Sequence, residues 1–448
     1  MPGNRIIPVA LSLLCAVTLA ACKGTSSGNV VLGVPTALGA IEGADSLRAV
    51  QLAVNEINAA GGIEVAGVKR QLQVVSIDTR ESEAGVPVND ALAAMEKLIS
   101  EKKPTAIVVG AFRSEVLLSA MDMIARYKIP YLCTIGMSPD FEKKIAAEPE
   151  KYKHDFRLGL SAPYLVGNMA KAIGFIKKRF GYDKLYIVHQ DVAWAKGTAG
   201  GVARLTAADG WTLVGSDAYP TGARDFSSSL TKAKAGGAQV IVPIFDMPES
   251  GVLLKQARSM EVGALFAGFI SPAAPGSAWT TFNGEIDGLI NFVFEPGAIA
   301  LKGARSQQFS DAYAKAYGEE ARTKLSGHGP GPSYDAVYVL ADAIKRAGSL
   351  DADAIAAALE KTDTEGAIGK IAFNKGHQVV FGEDARTGAV SLAFQWRGGK
   401  RVVVYPESAA EGPIELAGAA APAAGAAPAG ATPPAGAAAP AGAAAPKK

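Results

Sequence analysis

Gly110-Ala111-Phe112-Arg113-Ser114 is the stretch of this 448-residue chain best placed to hold an anion. An apolar run, Ala106 to Val109, precedes it, and an amphipathic pattern, Ser114 to Tyr127, follows it. A strand that turns straight into a helix leaves the helix's first N–H groups without partners, and these attract negative charge. Ser114 is available to cap that helix and to donate its hydroxyl to a carboxylate. Arg113 either clamps the same carboxylate through its guanidinium fork or lies solvated on the surface. Thr134 and Ser138 follow the next apolar run, Pro130 to Cys133, and offer further hydroxyls; Gly136 between them allows close backbone approach. Trp194 comes shortly after the run Leu185 to His189. It either faces a ligand, covering an apolar group or stacking on a ring or cation, or is a partly buried structural ring.

Signatures of covalent or cofactor chemistry are missing. The chain has no phosphate-cradling Gly-rich loop, no His-Glu-x-x-His and no Gly-x-Ser-x-Gly elbow. Gly33 to Gly43 does not supply the Gly-x-Gly-x-x-Gly of a dinucleotide fold. His154, His189, His328 and His377 are scattered without metal-ligand spacing, and Gly327 to Pro332 reads as a turn before a helix. No metal, cofactor or catalysis is expected. A formal net charge of +2 leaves no footprint for nucleic acid.

The elements that must position these residues alternate short apolar runs with amphipathic helices. Val30 to Val34 reads as the first strand, and Asp45 or Ser46 as the cap of a helix that stacks Leu47, Val50, Val54 and Ile57 on one face. Strand Leu72–Ile77, helix Val88–Ser100, strand Ala106–Val109, helix Ser114–Tyr127 and strand Pro130–Cys133 continue the series. A second series runs through helix Tyr164–Phe180, strand Leu185–His189, helix Ala195–Ala208 and strand Thr212–Gly215. Asp225 then caps helix Phe226–Lys234, followed by strand Val240–Ile244, helix Ser250–Met260 and strand Leu265–Phe269. Repeated β-α units imply parallel sheets with right-handed crossovers, here two doubly wound α/β lobes. Strand 291–294, helices Ser306–Tyr317, Ser333–Ala347 and Ala352–Lys361, and a hairpin of Ala389–Trp396 with Arg401–Tyr405 about Gly398-Gly399 complete the body.

The two ends are of different character. Arg5 precedes an apolar run, Leu11 to Leu19, that is too short to span a bilayer and is followed by small residues, as in a secretory signal. Leu19-Ala20-Ala21-Cys22 resembles the lipobox of bacterial lipoproteins. That resemblance implies removal of residues 1–21, acylation of Cys22 and a polar tether over 22–29. Lys23 after the cysteine leans, by the same resemblance, towards the outer membrane. Residues 416–448 are almost wholly Ala, Gly and Pro and read as a disordered tail. Cys133 is then left alone, so no disulfide is expected.

Several segments carry a resemblance to the type I periplasmic binding proteins, in their branched-chain amino-acid (Leu/Ile/Val) branch. They are Leu52 to Ile63, Asp225-Phe226-Ser227 leading into Leu230 to Lys234, Leu254 to Arg258, and Tyr334 to Val337. The order of elements agrees from Val30 to Tyr405. The resemblance implies two lobes joined by three hinge crossings, near Arg157-Leu158, near 294–296 and near 371–373. One lobe takes residues 30–156 and 297–369, the other 157–296 and 370–415. Ligand lies between the lobes, at loops beyond the carboxyl ends of the strands.

The resemblance also assigns roles. The loop ending in Ser114 holds the ligand's α-carboxylate, Thr134 and Ser138 serve the head group, and Trp194 presents an aromatic face. Met137 departs from a threonine found in some relatives. Phe245 and Asp246 end a strand of the second lobe, and Ser271 stands where some relatives carry an acid for the ammonium group. Asp246 or Glu42 is available to substitute for that acid, or each is solvated or capping. The implied function is that of a lipid-anchored, extracytoplasmic receptor of an ABC importer. It would be a monomer that captures a small carboxylate-bearing ligand, such as an aliphatic amino acid, and presents it to a permease in the inner membrane. A ligand-sensing receptor component, or a receptor for amides or aromatic acids, is the alternative. No transmembrane helix or signalling domain follows the body, which favours delivery.

Overall fold

The structure, a computed structural model, describes residues 28–301 and 305–416. Cys22, the signal 1–21, most of the tether 22–29 and all of the tail 416–448 except Leu416 lie outside the described residues.

β1 (Val30–Thr36) opens a parallel sheet whose later strands are each reached through a helix or a hairpin. The order is α1 (Ile41–Ala59), the hairpin β2 (Ile63–Val65) and β3 (Val68–Arg70), β4 (Leu72–Asp78), α2 (Val88–Lys102), β5 (Ala106–Val109), α3 (Ser114–Tyr127), β6 (Tyr131–Cys133), α4 (Asp140–Ala147) and β7 (Asp155–Arg157). The strands lie as β4-β1-β5-β6-β7, every pair parallel. Helices on both faces explain why β1, β5 and β6 are apolar at nearly every position. Leu32, Ala106 and Val108 enter a core shared with α1, whereas Ile107, Tyr131 and Cys133 enter another with α2 and α3.

The chain crosses after β7 into α5 (Ala162–Phe180), β8 (Lys184–Gln190), α6 (Ala193–Ala208), β9 (Thr212–Tyr219), α7 (Ser227–Ala235), β10 (Val240–Phe245), α8 (Gly251–Ser259), β11 (Leu265–Ile270), α9 (Ala278–Thr281) and β12 (Ile290–Val293). It then returns through α10 (Arg305–Tyr317), α11 (Glu319–Thr323), α12 (Pro330–Ala347) and α13 (Ala352–Leu359). α12 lies along α1 and closes the core of the first lobe. Four short strands follow, β13 (Asp363–Gly366), β14 (Gly369–Ala372), β15 (Phe381–Gly382) and β16 (Ala389–Val390), in a small sheet of their own. β17 (Leu392–Arg397) and β18 (Lys400–Tyr405) pair antiparallel and complete the second large sheet, β18-β17-β12-β11-β10-β8-β9. The molecule is thus a two-lobed α/β fold with parallel sheets at its centre.

Several local expectations change. α1 begins at Ile41, not at Asp45. Asp45 is buried inside the helix and accepts from the backbone N–H of Ser326 at 2.9 Å and from the Tyr313 hydroxyl at 3.3 Å. Ala389-Val390 is a strand of the small sheet rather than the start of the final hairpin, whose turn has Gly398 at φ +52° and Gly399 at φ +85°. Residues 371–373, expected as a crossing, fall at the end of β14, and β17 is the strand that joins the larger sheet. The first crossing is fastened by Arg157, fully buried. Its guanidinium donates to Gln378, to the carbonyl oxygen of Ser138 at 2.7 Å and to Glu142 at 2.7 Å.

Candidate functional site

Both large sheets end their strands towards one cleft, and the side chains that meet there come from the segments just beyond those ends. Gly43 lets the first turn of α1 lie on the preceding loop: a Cβ at that position would stand 2.1 Å from the carbonyl oxygen of Ala37. That close approach carries the neighbouring Glu42 inward, where it is 2 % exposed. Its Oε1 accepts from the hydroxyl of Ser271, after β11 in the other lobe, at 2.5 Å. Burial pushes the Glu42 carboxyl up to about 7. The charge of Asp246 adds to this, and the Ser271 hydroxyl opposes it.

Asp246 follows β10 and is half-buried. The indole Nε1 of Trp194, in the first turn of α6, donates to its Oδ2 at 2.7 Å. Gln190, at the end of β8, fixes the same loop by accepting the backbone N–H groups of Asp246 and Met247 at 3.1 and 3.2 Å. Burial raises the Asp246 carboxyl too, against the pull of the Trp194 and Gln190 hydrogen bonds.

Rings form one wall. Trp194 meets Phe269 edge-on with centroids 6.0 Å apart, Phe269 lies 4.3 Å from Phe294, and Phe294 meets His328 at 4.6 Å. Phe112 adds a ring, Ile135 and Met137 an aliphatic floor, and Ser114 a hydroxyl. With Glu42 and Asp246 these residues line a small pocket. A wider depression lies at the opposite end of the second lobe, before β11 and β12; Arg258 there is spent on the carbonyl oxygens of Glu285 and Asp287.

Among the residues singled out from sequence, Glu42, Ser114, Trp194 and Asp246 line this pocket, and Ser271 touches it through Glu42. The others do not line it. Arg113 takes the cap position of α3, with no side-chain capping bond there, and points away. Its Nη1 donates to the carbonyl oxygen of Val86 at 3.1 Å, and Nε lies 3.7 Å from Glu115. Ser114 is the first helical residue, not the cap. The loop's N–H groups do hold an anion, but one of the protein's own. Buried Glu81 accepts from Phe112 N at 3.0 Å and from Arg113 N at 2.9 Å. Thr134 is buried against Ser333, their hydroxyls 2.7 Å apart. The Ser138 hydroxyl accepts from the N–H of Asp140 at 3.2 Å. Gly136 is packed so that a Cβ would meet Leu117 at 2.8 Å. Phe245 turns into the core of the second lobe, 5.5 Å from Phe226.

Phe112, Ile135, Met137, Phe269, Phe294 and His328 line the pocket without having been singled out as ligand residues. Phe269 and Phe294 carried the signal that mattered, a large ring at or just past the end of a parallel strand. His328 carried none, because the Gly-Pro-rich run around it reads as a plain turn.

A family model described as periplasmic binding protein matches residues 31–400. The chain is similar to the Leu/Ile/Val-binding protein homolog 7 of Brucella suis biovar 1 (strain 1330), with 27% identity over 399 residues, 84% of this chain and 90% of that protein. It superposes on the branched-chain amino acid transporter substrate binding protein LivJ of Streptococcus pneumoniae in complex with isoleucine, with a TM-score of 0.68 and 21% identity over 84% of this chain and 100% of that one. A periplasmic binding protein type 1 from Bordetella pertussis Tohama I gives a TM-score of 0.69 and 20% identity over 84% of this chain and 99% of that one.

Proposed function

The chain belongs to the periplasmic binding protein family, and from that premise we propose that it is the solute receptor of an ABC importer, capturing an amino acid between its lobes. One observation carries the reading: Glu42 of the first lobe and Ser271 of the second meet at 2.5 Å beside a pocket walled by aromatic rings. A pocket built from both lobes binds more tightly when they are together, and this differential affinity is what lets a ligand drive closure. In this reading the ligand is captured without chemical change, as the match to the periplasmic binding protein family supports. The isoleucine complex of the pneumococcal relative supports a small aliphatic amino acid as the ligand.

In this reading Glu42, Ser114, Trp194, Asp246 and Ser271 bear on the ligand. Arg113, Thr134, Gly136, Ser138 and Phe245 hold the loops behind them. Cys22 carries the lipid anchor on the extracytoplasmic side of a membrane, the receptor works as a monomer, and a membrane permease receives the closed form. Replacement Cys22→Ser is expected to move the protein from the membrane to the soluble fraction on cell fractionation. The ligand is tested by a thermal-shift screen of the protein against amino acids, amides and aromatic acids, followed by titration calorimetry. Micromolar binding of an aliphatic amino acid, about −8 kcal/mol, is the expected result. Stabilisation by amides or aromatic acids alone would replace this ligand with the alternative one.

A further inference from the structure

β12 is buried at every position and apolar at all but one. The exception is Asn291, which is fully buried between Ile290 and Phe292. A carboxamide in an apolar core costs free energy unless it is hydrogen-bonded, and an apolar side chain fills such a place without that demand. Both partners of the Asn291 amide belong to one residue of the neighbouring strand. Its Oδ1 accepts from the N–H of Ile270 at 2.8 Å, and its Nδ2 donates to the carbonyl oxygen of Ile270 at 3.1 Å.

Ile270 is where β11 parts from β12. The ladder between them consists of the rungs Ala267–Ile290 and Gly268–Asn291, whereas β11 stays in register with β10 as far as Ile270 beside Phe245. The side chain of Asn291 therefore replaces a rung that the two backbones do not make. The residues on either side of Ile270 serve the cleft. Phe269 stands in the pocket wall against Phe294, and Ser271 is the donor to Glu42 of the first lobe. Gln190, buried at the end of β8, acts in the same way on the neighbouring loop, where it accepts the N–H groups of Asp246 and Met247 beyond β10. Two carboxamides on buried strands thus hold two of the cleft's loops at their exits from the sheet.

We propose that Asn291 is a positioning residue for closure: it holds the segment 269–271 so that the Ser271 hydroxyl meets Glu42 when the lobes come together. This rests on the reading of the chain as a receptor that closes on its ligand. Asn291 does not line the pocket, and its effect on the first lobe passes through Ser271. Without its amide, a buried N–H and a buried carbonyl of Ile270 lose their partners, and the segment opens towards water to satisfy them. A residue that served only the packing of the second lobe would stabilise that lobe and leave the first one unaffected.

Hydrogen–deuterium exchange of the ligand-free full-length protein, read peptide by peptide, tests this on the parent, Asn291→Leu, Ser271→Ala and the double variant. Asn291→Leu is expected to speed exchange about ten-fold over 269–273 and about five-fold over 38–46, at the start of α1 in the other lobe, with 55–65 at the far end of that helix unchanged. Ser271→Ala is expected to speed 38–46 to the same extent. Adding Asn291→Leu to it is expected to change that stretch by less than about two-fold, because two changes that act through one contact do not add. Unchanged exchange over 269–273, or faster exchange there with 38–46 unchanged, would overturn the proposal. So would a gain over 38–46 of more than about two-fold in the double variant relative to Ser271→Ala. Each of these results leaves the receptor reading intact. No change over 38–46 in Ser271→Ala itself would overturn the proposal together with the interlobe contact that carries that reading. Asn291→Asp keeps the acceptor for the Ile270 N–H and loses the donor to its carbonyl oxygen. It takes the place of Asn291→Leu in the same comparison, with the same outcomes, should that variant lack a cooperative melt.

Discussion

Glu42 is held near neutrality by its surroundings, and the sign of the consequence is fixed. Its carboxyl sits at about 7 when folded, against 4.5 in an unstructured chain, so the folded state binds the proton more tightly. Stability from this group is full below about pH 4.5 and is lost as pH rises through about 7. The difference corresponds to about 3 kcal/mol at the limit. The ligand-free protein is therefore expected to melt higher at pH 5.5 than at pH 8, and Glu42→Gln to remove about 3 °C of that gap by calorimetry. Equal gaps in the two proteins would show that Glu42 is not buried in solution. Asp246 moves in the same direction from burial, so the variant measures Glu42 by difference. Trp194 and Arg113 make the complementary pair. Trp194→Ala removes the wall of the pocket and the donor to Asp246, and ligand affinity is expected to fall at least ten-fold, about 1.4 kcal/mol. Arg113→Ala removes a side chain turned to Val86, and affinity is expected to stay within about two-fold, about 0.4 kcal/mol. Both residues were candidates in the sequence because residue type and position past a strand say nothing of which way a side chain leaves the backbone.

At the scale of elements, legibility followed burial. β5, β6 and β10 are buried at every position and stand out as continuous apolar runs. α1 was legible by its apolar face but not by its start, since Asp45 imitates a cap while serving as a buried acceptor for Ser326. β13 to β15 escaped notice, and β16 was merged into the final hairpin, because strands of two to four residues are too short for any period to show, and β13 has one buried position. The anion loop was legible as a place and misread as to occupant. Glu81 lies in a polar stretch with no helix or strand of its own, and nothing in the sequence ties it to Phe112. Its role is testable. Glu81→Gln turns one acceptor oxygen into a donor facing backbone N–H groups, and leaving such a group unsatisfied costs about 1–3 kcal/mol. Chemical denaturation is expected to show a loss of that size, with weakened ligand binding as Phe112 and Ser114 shift. A variant as stable as the parent would mean that the loop is held by other groups.

Across the whole molecule, the contact between Ser271 and Glu42 links function to shape. The chain passes between its large sheets after β7, after β12 and before β17, and connections of this kind permit hinge motion about a few residues. Arg157 ties the first of these passages to the loop at Ser138, next to Met137 in the floor of the pocket. Closure then depends on a small number of contacts made only when the lobes meet. Ser271→Ala deletes one of them and leaves a buried acid without its donor, a change of about 1–3 kcal/mol against the closed form. A shift of that size moves a two-state equilibrium by about ten-fold or more, and lowers apparent affinity by the fraction of closed form lost. Small-angle scattering is expected to show a larger radius of gyration for ligand-free Ser271→Ala than for the parent. Saturating ligand is expected to bring both to the same value, because the ligand supplies its own bridge between Glu42 and Asp246. Identical radii without ligand would show that the lobes are held together by something other than this hydrogen bond. Different radii at saturation would show that the bound ligand does not span the cleft.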